Sequence, residues 1–321
     1  MRFSLYSLII IVTCCIYNTK SELELMQDDE LMQLIRTEKY VVALFTSKFC
    51  GEECENYENE LTGLREDLVE SLNAWVVKLV DSSMTRLYTP DKEPALVFFR
   101  HGIPLLYSGP LNDELIFHTF TQNQEPAVKE LDDDTFEHLT QAASGATTGD
   151  WFVQFYTTDC VDCQRLQARW EAVGAQLKSR GMNVARVNRA TTGAKTARRF
   201  NVFEVPAFVL FKKGKMYKYH NQEFGVAALV AFAQDWYKNM KPEPVPVPKS
   251  PFDDLVAATV TFMKDNPYLW QVGFASLLLG VVLSGFLKFC RNKKEKTDKG
   301  SLKGQSQKSK SGASKKSAKK E

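Results

Sequence analysis

Residues 151–163 read WFVQFYTTDCVDC. The first six are apolar or aromatic apart from Gln154, which is a run of strand length. Cys160 and Cys163 follow after a short polar break, and then Leu166, Trp170, Val173 and Leu177 recur at helical spacing from Gln164 to Ser179. A Cys-x-x-Cys at such a strand-to-helix junction puts its first sulfur at a helix N-terminus. Unpaired backbone N–H groups and the positive end of the helix dipole favour a thiolate there. Cys160 is therefore the expected nucleophile toward a disulfide, and Cys163, one turn along, the expected resolving thiol.

Working outward, Leu131 to Ala143 is expected as an amphipathic helix opening this unit. Gly181 ends the long helix, Asn183 to Asn188 forms the next strand, and Thr191 to Arg199 a short helix. Val205-Pro206 precedes a strand AFVLF at 207–211, Lys213-Gly214 turns, Met216 to Tyr219 returns, and Phe224 to Met240 closes as a helix. An earlier stretch has the same order of signals. It runs from a helix at Glu22 to Thr37 through a strand YVVALF at 40–45 to Cys50 and Cys54. A helix from Glu55 to Leu72, a strand from Trp75 to Val80, Pro94 before ALVFF, a turn at His101-Gly102, a return at Leu105 to Tyr107 and a closing helix Leu111 to Thr121 follow. Such an internal repeat predicts two copies of one α/β fold joined by a connector at Gln122 to Lys129.

LDDDTF at 131–136, VQFYTTDCVDC at 153–163 and RRFNVFEVPAFVLFKKG at 198–214 carry a family resemblance. Both units resemble the thioredoxin fold, and the second is similar to the catalytic-type domains of the protein disulfide isomerases. With its terminal segments, the whole chain resembles the thioredoxin-related transmembrane proteins of the endoplasmic reticulum. The resemblance implies that Pro206 is a cis-proline laying a substrate strand beside the two sulfurs, and that Pro94 keeps that position in the first unit.

Several residues depart from the family pattern. Asp159 stands where an aromatic residue usually precedes the first cysteine, and Asp162 lies between the two cysteines. Both carboxylates oppose a thiolate at Cys160, so a higher thiol pKa, a more stable disulfide and slow exchange are expected. Gln154 replaces the buried acid that takes the resolving cysteine's proton, and Ala168 replaces a helix proline. The resemblance implies that Arg198 or Arg199 partly offsets the carboxylates, as an arginine near this position does in the isomerases. A structural disulfide at Cys160/Cys163 is the alternative to a redox-active one; zinc lacks a second Cys or His pair at ligand spacing.

Cys50-Gly-Glu-Glu-Cys54 is one residue longer than the motif. At i and i+4 on a helix the Cα atoms would lie about 6 Å apart, so the pair closes with strain or a distorted first turn. Glu52, Glu53 and Glu55 oppose a thiolate at Cys50. A structural or slow regulatory disulfide is expected here rather than a catalytic one.

Composition bounds the rest. Over 321 residues, 44% apolar and 25% charged residues exclude a chain disordered throughout, a collagenous protein and a multi-span membrane protein. The net charge of +2 conceals an asymmetry: 26 basic against 36 acidic residues from Ser21 to Pro267, and 12 against 3 from Arg291 to Glu321. Between them, Tyr268 to Leu287 runs 20 positions without a charge, long enough to span about 30 Å of hydrocarbon. Lys288, Arg291, Lys293 and Lys294 mark the cytoplasmic end. Phe3 to Ile16 behind Arg2 has the form of a secretory signal peptide.

The expected division is a signal peptide (1–20), a degenerate thioredoxin-like domain (21–124) and a thioredoxin-like domain with the CVDC motif (125–240). A Pro-rich, stiff linker (241–251), an amphipathic juxtamembrane segment (252–266), a transmembrane helix (267–289) and a disordered Lys-rich cytosolic tail (290–321) complete it. Of the seven cysteines, Cys14 and Cys15 leave with the signal and Cys290 sits at the cytosolic face, open to palmitoylation. The two local pairs remain on the oxidising side, where they close almost no loop and so point to redox chemistry.

The resulting expectation is a membrane-anchored thiol–disulfide oxidoreductase, single-pass type I, acting on client proteins with thiols or disulfides in the lumen of the endoplasmic reticulum. The cell surface is a second location, and a non-catalytic client-binding scaffold is the alternative function. No cofactor and no metal are expected. The tail favours anionic lipid, while nucleic acid lacks an aromatic-interleaved platform. Ser276, Gly280 and Ser284 form a small-residue stripe that leaves homodimerisation open.

Overall fold

The computed structural model describes residues 22–88, 93–145, 149–248, 251–266, 268 and 271–288. The expected signal peptide with Cys14 and Cys15, the tail, and Cys290 lie outside the described residues.

Tyr40–Thr46 (β2) is apolar at nearly every position because both of its faces are covered, and all seven residues are buried. It pairs in parallel with Trp75–Val80 (β3) and antiparallel with Ala95–Arg100 (β4). Glu24–Leu25 (β1) and Ile103–Leu106 (β5) complete a sheet of order β1-β3-β2-β4-β5. Helices Asp28–Thr37 (α1), Glu52–Leu72 (α2), Thr85–Tyr88 (α3) and Asp113–Gln122 (α4) connect these strands.

The second sheet repeats that order and those directions. Val128–Leu131 (β6), Trp151–Tyr156 (β7), Asn183–Asn188 (β8), Ala207–Lys212 (β9) and Lys215–Lys218 (β10) give β6-β8-β7-β9-β10, with Glu243–Pro244 (β11) added at the far edge. Its helices are Thr135–Thr140 (α5), Val161–Lys178 (α6), Ala194–Arg199 (α7) and Val226–Gln234 (α8). The repeat seen in sequence is thus two tandem thioredoxin-like sheets.

Four elements differ from expectation. Leu131 to Ala143 is not one helix: Leu131 pairs with Val187 as the end of β6, and the Asp132 carboxylate accepts the Thr135 N–H at 2.7 Å, so α5 starts only there. Glu22 to Thr37 likewise divides, because the Gln27 N–H donates to Glu30 (2.9 Å) and starts α1 at Asp28. The closing helix stops at Gln234 and continues as a 3₁₀ turn, Trp236–Asn239, because Asp235 leaves helical geometry. The proline-rich linker is not a free spacer over its first half. Glu243 pairs with Met216, the Val245 N–H donates to the Gly214 carbonyl (3.2 Å), and Val245 is buried. Proline is tolerated at such a sheet edge, where the alternate residues supply the N–H groups.

The two thioredoxin-like domains fall in one compact unit, in which α6 packs against β5 and α3 of the first domain. One face of α6 buries Leu166, Trp170, Val173 and Leu177 on its own side of the core. On another, Ala168 enters the first domain's cluster with Phe45, Tyr88, Val97 and Phe99. The absent helix proline leaves a small side chain where the first domain presses on the helix. The connector is pinned as well: the Arg100 guanidinium donates to the carbonyls of Asn123 (3.1 Å) and Glu125 (3.4 Å).

Toward the C-terminus, Pro251–Asp265 (α9) is a helix. Gln271–Lys288 (α10) is an 18-residue helix of mean hydropathy 1.6 with none of its residues buried. At about 1.5 Å per residue it reaches roughly 27 Å. The Ser276 and Ser284 hydroxyls donate to carbonyls of their own helix, Gly273 and Val281.

Candidate functional site

β7 delivers the loop Thr157–Asp159, and Cys160 is the N-cap of α6. Its Sγ accepts the Cys163 N–H at 3.0 Å, and the two cysteines form a disulfide with Cα atoms 5.2 Å apart. Cys160 is half-buried and Cys163 buried, so one sulfur is open to attack and the other is shielded. This is the geometry the spacing predicts, and it places Cys160 on the helix's orphan N–H groups. The Val205–Pro206 bond is cis, and Val205 lines a surface cleft together with Cys160, Asp159 and Arg189. Exposed Val161 and Phe203 lie on the segments bearing Cys160 and Pro206.

The carboxylates beside Cys160 are each answered by an arginine. Asp162 pairs with Arg165 at 3.3 Å. The Asp159 carboxyl is held below its usual range, first by the Thr157 hydroxyl and also by its own backbone N–H and the Arg189 charge. Arg198 and Arg199, the candidates from sequence, are engaged elsewhere. Arg199 pairs with Glu137 (2.7 Å) and donates to the Pro246 carbonyl (2.7 Å), and Arg198 donates to Ala194.

Arg189 is the residue that sequence reasoning missed. It follows β8, which runs parallel to β7, so its N–H reaches the Tyr156 carbonyl (2.9 Å) at the strand end that carries the cysteine loop. The signal was its place just after a strand parallel and adjacent to the motif strand.

Behind the disulfide lies a cavity of about 310 Å³ bordered by Gln154, Tyr156, Cys163, Trp170, Glu171 and Arg186. Gln154 is buried and its Nε2 has no hydrogen-bond partner. Arg186, the neighbour of Gln154 across the β7–β8 pair, is paired with Glu130 of β6, which also accepts from the Tyr156 hydroxyl (2.8 Å).

The first domain's pair has a different arrangement. Cys50 and Cys54 form a disulfide with Cα atoms 5.7 Å apart, but Cys50 does not lie on the helix. Gly51 is the N-cap of α2, at φ 69° and ψ −149°, and Cys54 occupies the third helical position, as Cys163 does in α6. The extra residue is therefore absorbed before the helix in a conformation that suits glycine, and the first turn is regular. Cys50 loses the N-cap position that Cys160 holds. Asp81 follows β3 as Arg189 follows β8, so the charge at that corner is reversed; it pairs with Lys48 at 3.1 Å. Glu93–Pro94 is cis. Among the described residues no three metal-ligating side chains converge.

The family model for thioredoxin matches residues 127–235, the second domain. A thioredoxin domain-containing protein of Theileria parva is 38% identical over 172 residues, 49% of this chain and 76% of that protein. The chain belongs to the thioredoxin family. Among solved structures similar to this family member, human ERp44 in a zinc-bound form has 13% identity and a TM-score of 0.33, covering 71% of this chain and 58% of its own. Full-length ERdj5 has 17% identity and a TM-score of 0.37, covering 69% and 32%. This thioredoxin-family chain thus spans a little over half of one and about a third of the other.

Proposed function

We propose that this thioredoxin-family protein is a thiol–disulfide oxidoreductase anchored in the endoplasmic reticulum membrane by α10, with both domains lumenal and clients among secretory or membrane proteins. The observation that carries the reading is the Cys160–Cys163 disulfide at the N-terminus of α6, with half-buried Cys160 lining a surface cleft. In the reducing direction Cys160 attacks a client disulfide, forms a mixed disulfide and expels one client thiolate. Cys163 then attacks Cys160, re-forming the protein disulfide and releasing the second client thiolate. Pro206, beside Val205 on the cleft wall, is the platform for the client strand. The acidic groups near Cys160 favour a reductase-like or selective exchanger over a strong oxidant. With Cys50 off the helix terminus, the Cys50–Cys54 pair has a structural role in this reading.

Expressing Cys163→Ala in cells and separating proteins without reductant tests this. Client adducts that vanish with Cys160→Ser are expected. Failure to capture any client, together with no exchange activity of the full chain in detergent, sinks the proposal. Protease protection of the body in intact microsomes tests the topology.

A further inference from the structure

Phe252, Leu255, Val256, Val260, Phe262 and Met263 of α9 are all exposed, by between 40% and 70%. At about 100° per residue they fall, with Thr259, on one arc of about 160°. Thr259 is the one polar residue within that arc. Its hydroxyl donates to the Leu255 carbonyl at 2.7 Å, so the arc presents no orphan donor. Asp253, Thr261, Lys264 and Asp265 fall on the opposite arc. The helix holds three aspartates and one lysine, a net charge of −2.

A contiguous apolar face of this kind marks a surface that another apolar phase covers. Hydrocarbon on all sides does not fit, because the charged arc is costly at the bilayer centre. Nor is α9 a continuation of α10. The Asn266 N–H and side-chain amide both donate to the Phe262 carbonyl (3.1 and 3.0 Å), which closes the last turn. Pro267 follows in sequence and has no N–H with which to carry the ladder on. A second copy of the helix is a poor match as well. Coiled-coil pairing uses a narrow seam sustained over several heptads, whereas this arc is broad and the helix has 15 residues.

Continuity with α10 favours a lipid surface. That helix starts at Gln271, six residues after α9 ends, and exposed Tyr268 between them is of the aromatic type that sits at headgroup level. Charge selects the lipid. Interfacial helices that bind anionic lipid carry Lys and Arg on the polar face, whereas the net −2 of α9 is repelled by it.

We propose that α9 lies in the headgroup plane of a neutral, zwitterionic leaflet, with its apolar arc toward the acyl chains and its charged arc toward water. This rests on α10 spanning the membrane, as in the function proposed above. The helix then fixes the depth at which the chain enters the bilayer.

The test uses the full chain with Cys14→Ser, Cys15→Ser and Cys290→Ser, reconstituted without reductant in phosphatidylcholine vesicles so that both disulfides stay closed. Val256→Cys on the apolar arc, or Thr261→Cys on the polar arc, carries an environment-sensitive fluorophore. Nitroxide on the lipid should quench the label at 256 at least about threefold more than the label at 261, and aqueous iodide should do the reverse. Phe262→Asp should lower lipid quenching at 256 at least about twofold. Replacing about a third of the phosphatidylcholine by phosphatidylserine at low salt should lower it by a similar factor, with recovery at high salt.

Protein that fails to float with the vesicles, or that alkaline carbonate strips from them, overturns the anchoring and this proposal with it. Protein that floats while lipid quenches 256 no more than 261 overturns the interfacial helix alone, whether the face is then covered by the protein body, by a second copy or by hydrocarbon on all sides. Quenching unmoved by Phe262→Asp does the same. Quenching unmoved by phosphatidylserine overturns the assignment to neutral lipid.

Discussion

Arg100, the last residue of β4 in the first domain, donates to Glu171 of α6 in the second at 2.8 Å, with side chains 0% and 5% exposed. It links the end of an inner strand of one sheet to the helix that carries the other domain's cysteines. A buried pair of this kind does not guarantee net stability, since desolvation offsets much of the attraction. Losing one partner is another matter, because the other charge is left buried alone.

Arg100→Met should therefore destabilise the chain by about 3–5 kcal/mol, while Arg100→Met with Glu171→Leu should recover most of that loss. Denaturant unfolding of the four combinations measures it. A single-mutant cost under about 1 kcal/mol means that the pair is not what registers the domains.

Asp159 should act on Cys160 through charge. Its carboxyl is held below its usual range, so it stays ionised down to acid pH and opposes the thiolate throughout the working range. Asp159→Asn should raise the rate of Cys160 alkylation in the reduced protein at pH 7 by a few-fold, and Arg189→Gln should lower it comparably. Opposite signs, or no change in either, would show that the local charges do not set Cys160 reactivity.

Gly51 should tolerate no side chain without cost. At φ 69° and ψ −149° it sits where glycine alone is at ease, and a Cβ there meets no neighbouring atom, so the penalty is one of backbone conformation. Gly51→Ala should cost about 1–3 kcal/mol. Gly181→Ala, also at positive φ (73°), is the milder comparison in an open turn. A neutral Gly51→Ala in thermal unfolding rejects this account of the longer first motif.

Acid should unfasten two turns. The Asp28 carboxyl is lowered: burial works against it, but hydrogen bonds from Ser82 and Ser83 outweigh that. Asp132 is lowered chiefly by the Thr135 hydroxyl and N–H. A depressed carboxyl contributes stability that is present above its unfolded value near pH 4 and is lost as pH falls through the folded value. Tm should fall below pH 4, and Asp28→Asn should flatten that limb while lowering Tm at pH 6. An acid limb unchanged in Asp28→Asn would assign it to other carboxylates.

Much of this fold was legible because its signals are local. The strands Trp75–Val80, Trp151–Tyr156 and Asn183–Asn188 match the expected strands residue for residue. Errors fell where partners are distant. Glu24–Leu25 and Val128–Leu131 are strands only because β3 and β8 lie alongside, and 243–245 joins a sheet whose edge is some thirty residues earlier. The family resemblance points to Arg198 and Arg199, but Arg189 reaches the cleft through the parallel pairing of β7 and β8.

Sequence alone determined the duplicated α/β order, the paired cysteines, the prolines before β4 and β9, and an apolar segment of spanning length. Periodicity, residue spacing and chain punctuation act within a few turns, so they need no knowledge of the rest of the molecule. Only tertiary structure decided that Gly51 takes up the extra residue of the first motif, that Ala168 faces a neighbouring domain, and that Glu171 meets Arg100 seventy-one residues away. Those outcomes depend on which surfaces exclude water together, and burial is a property of the assembled sheets and helices.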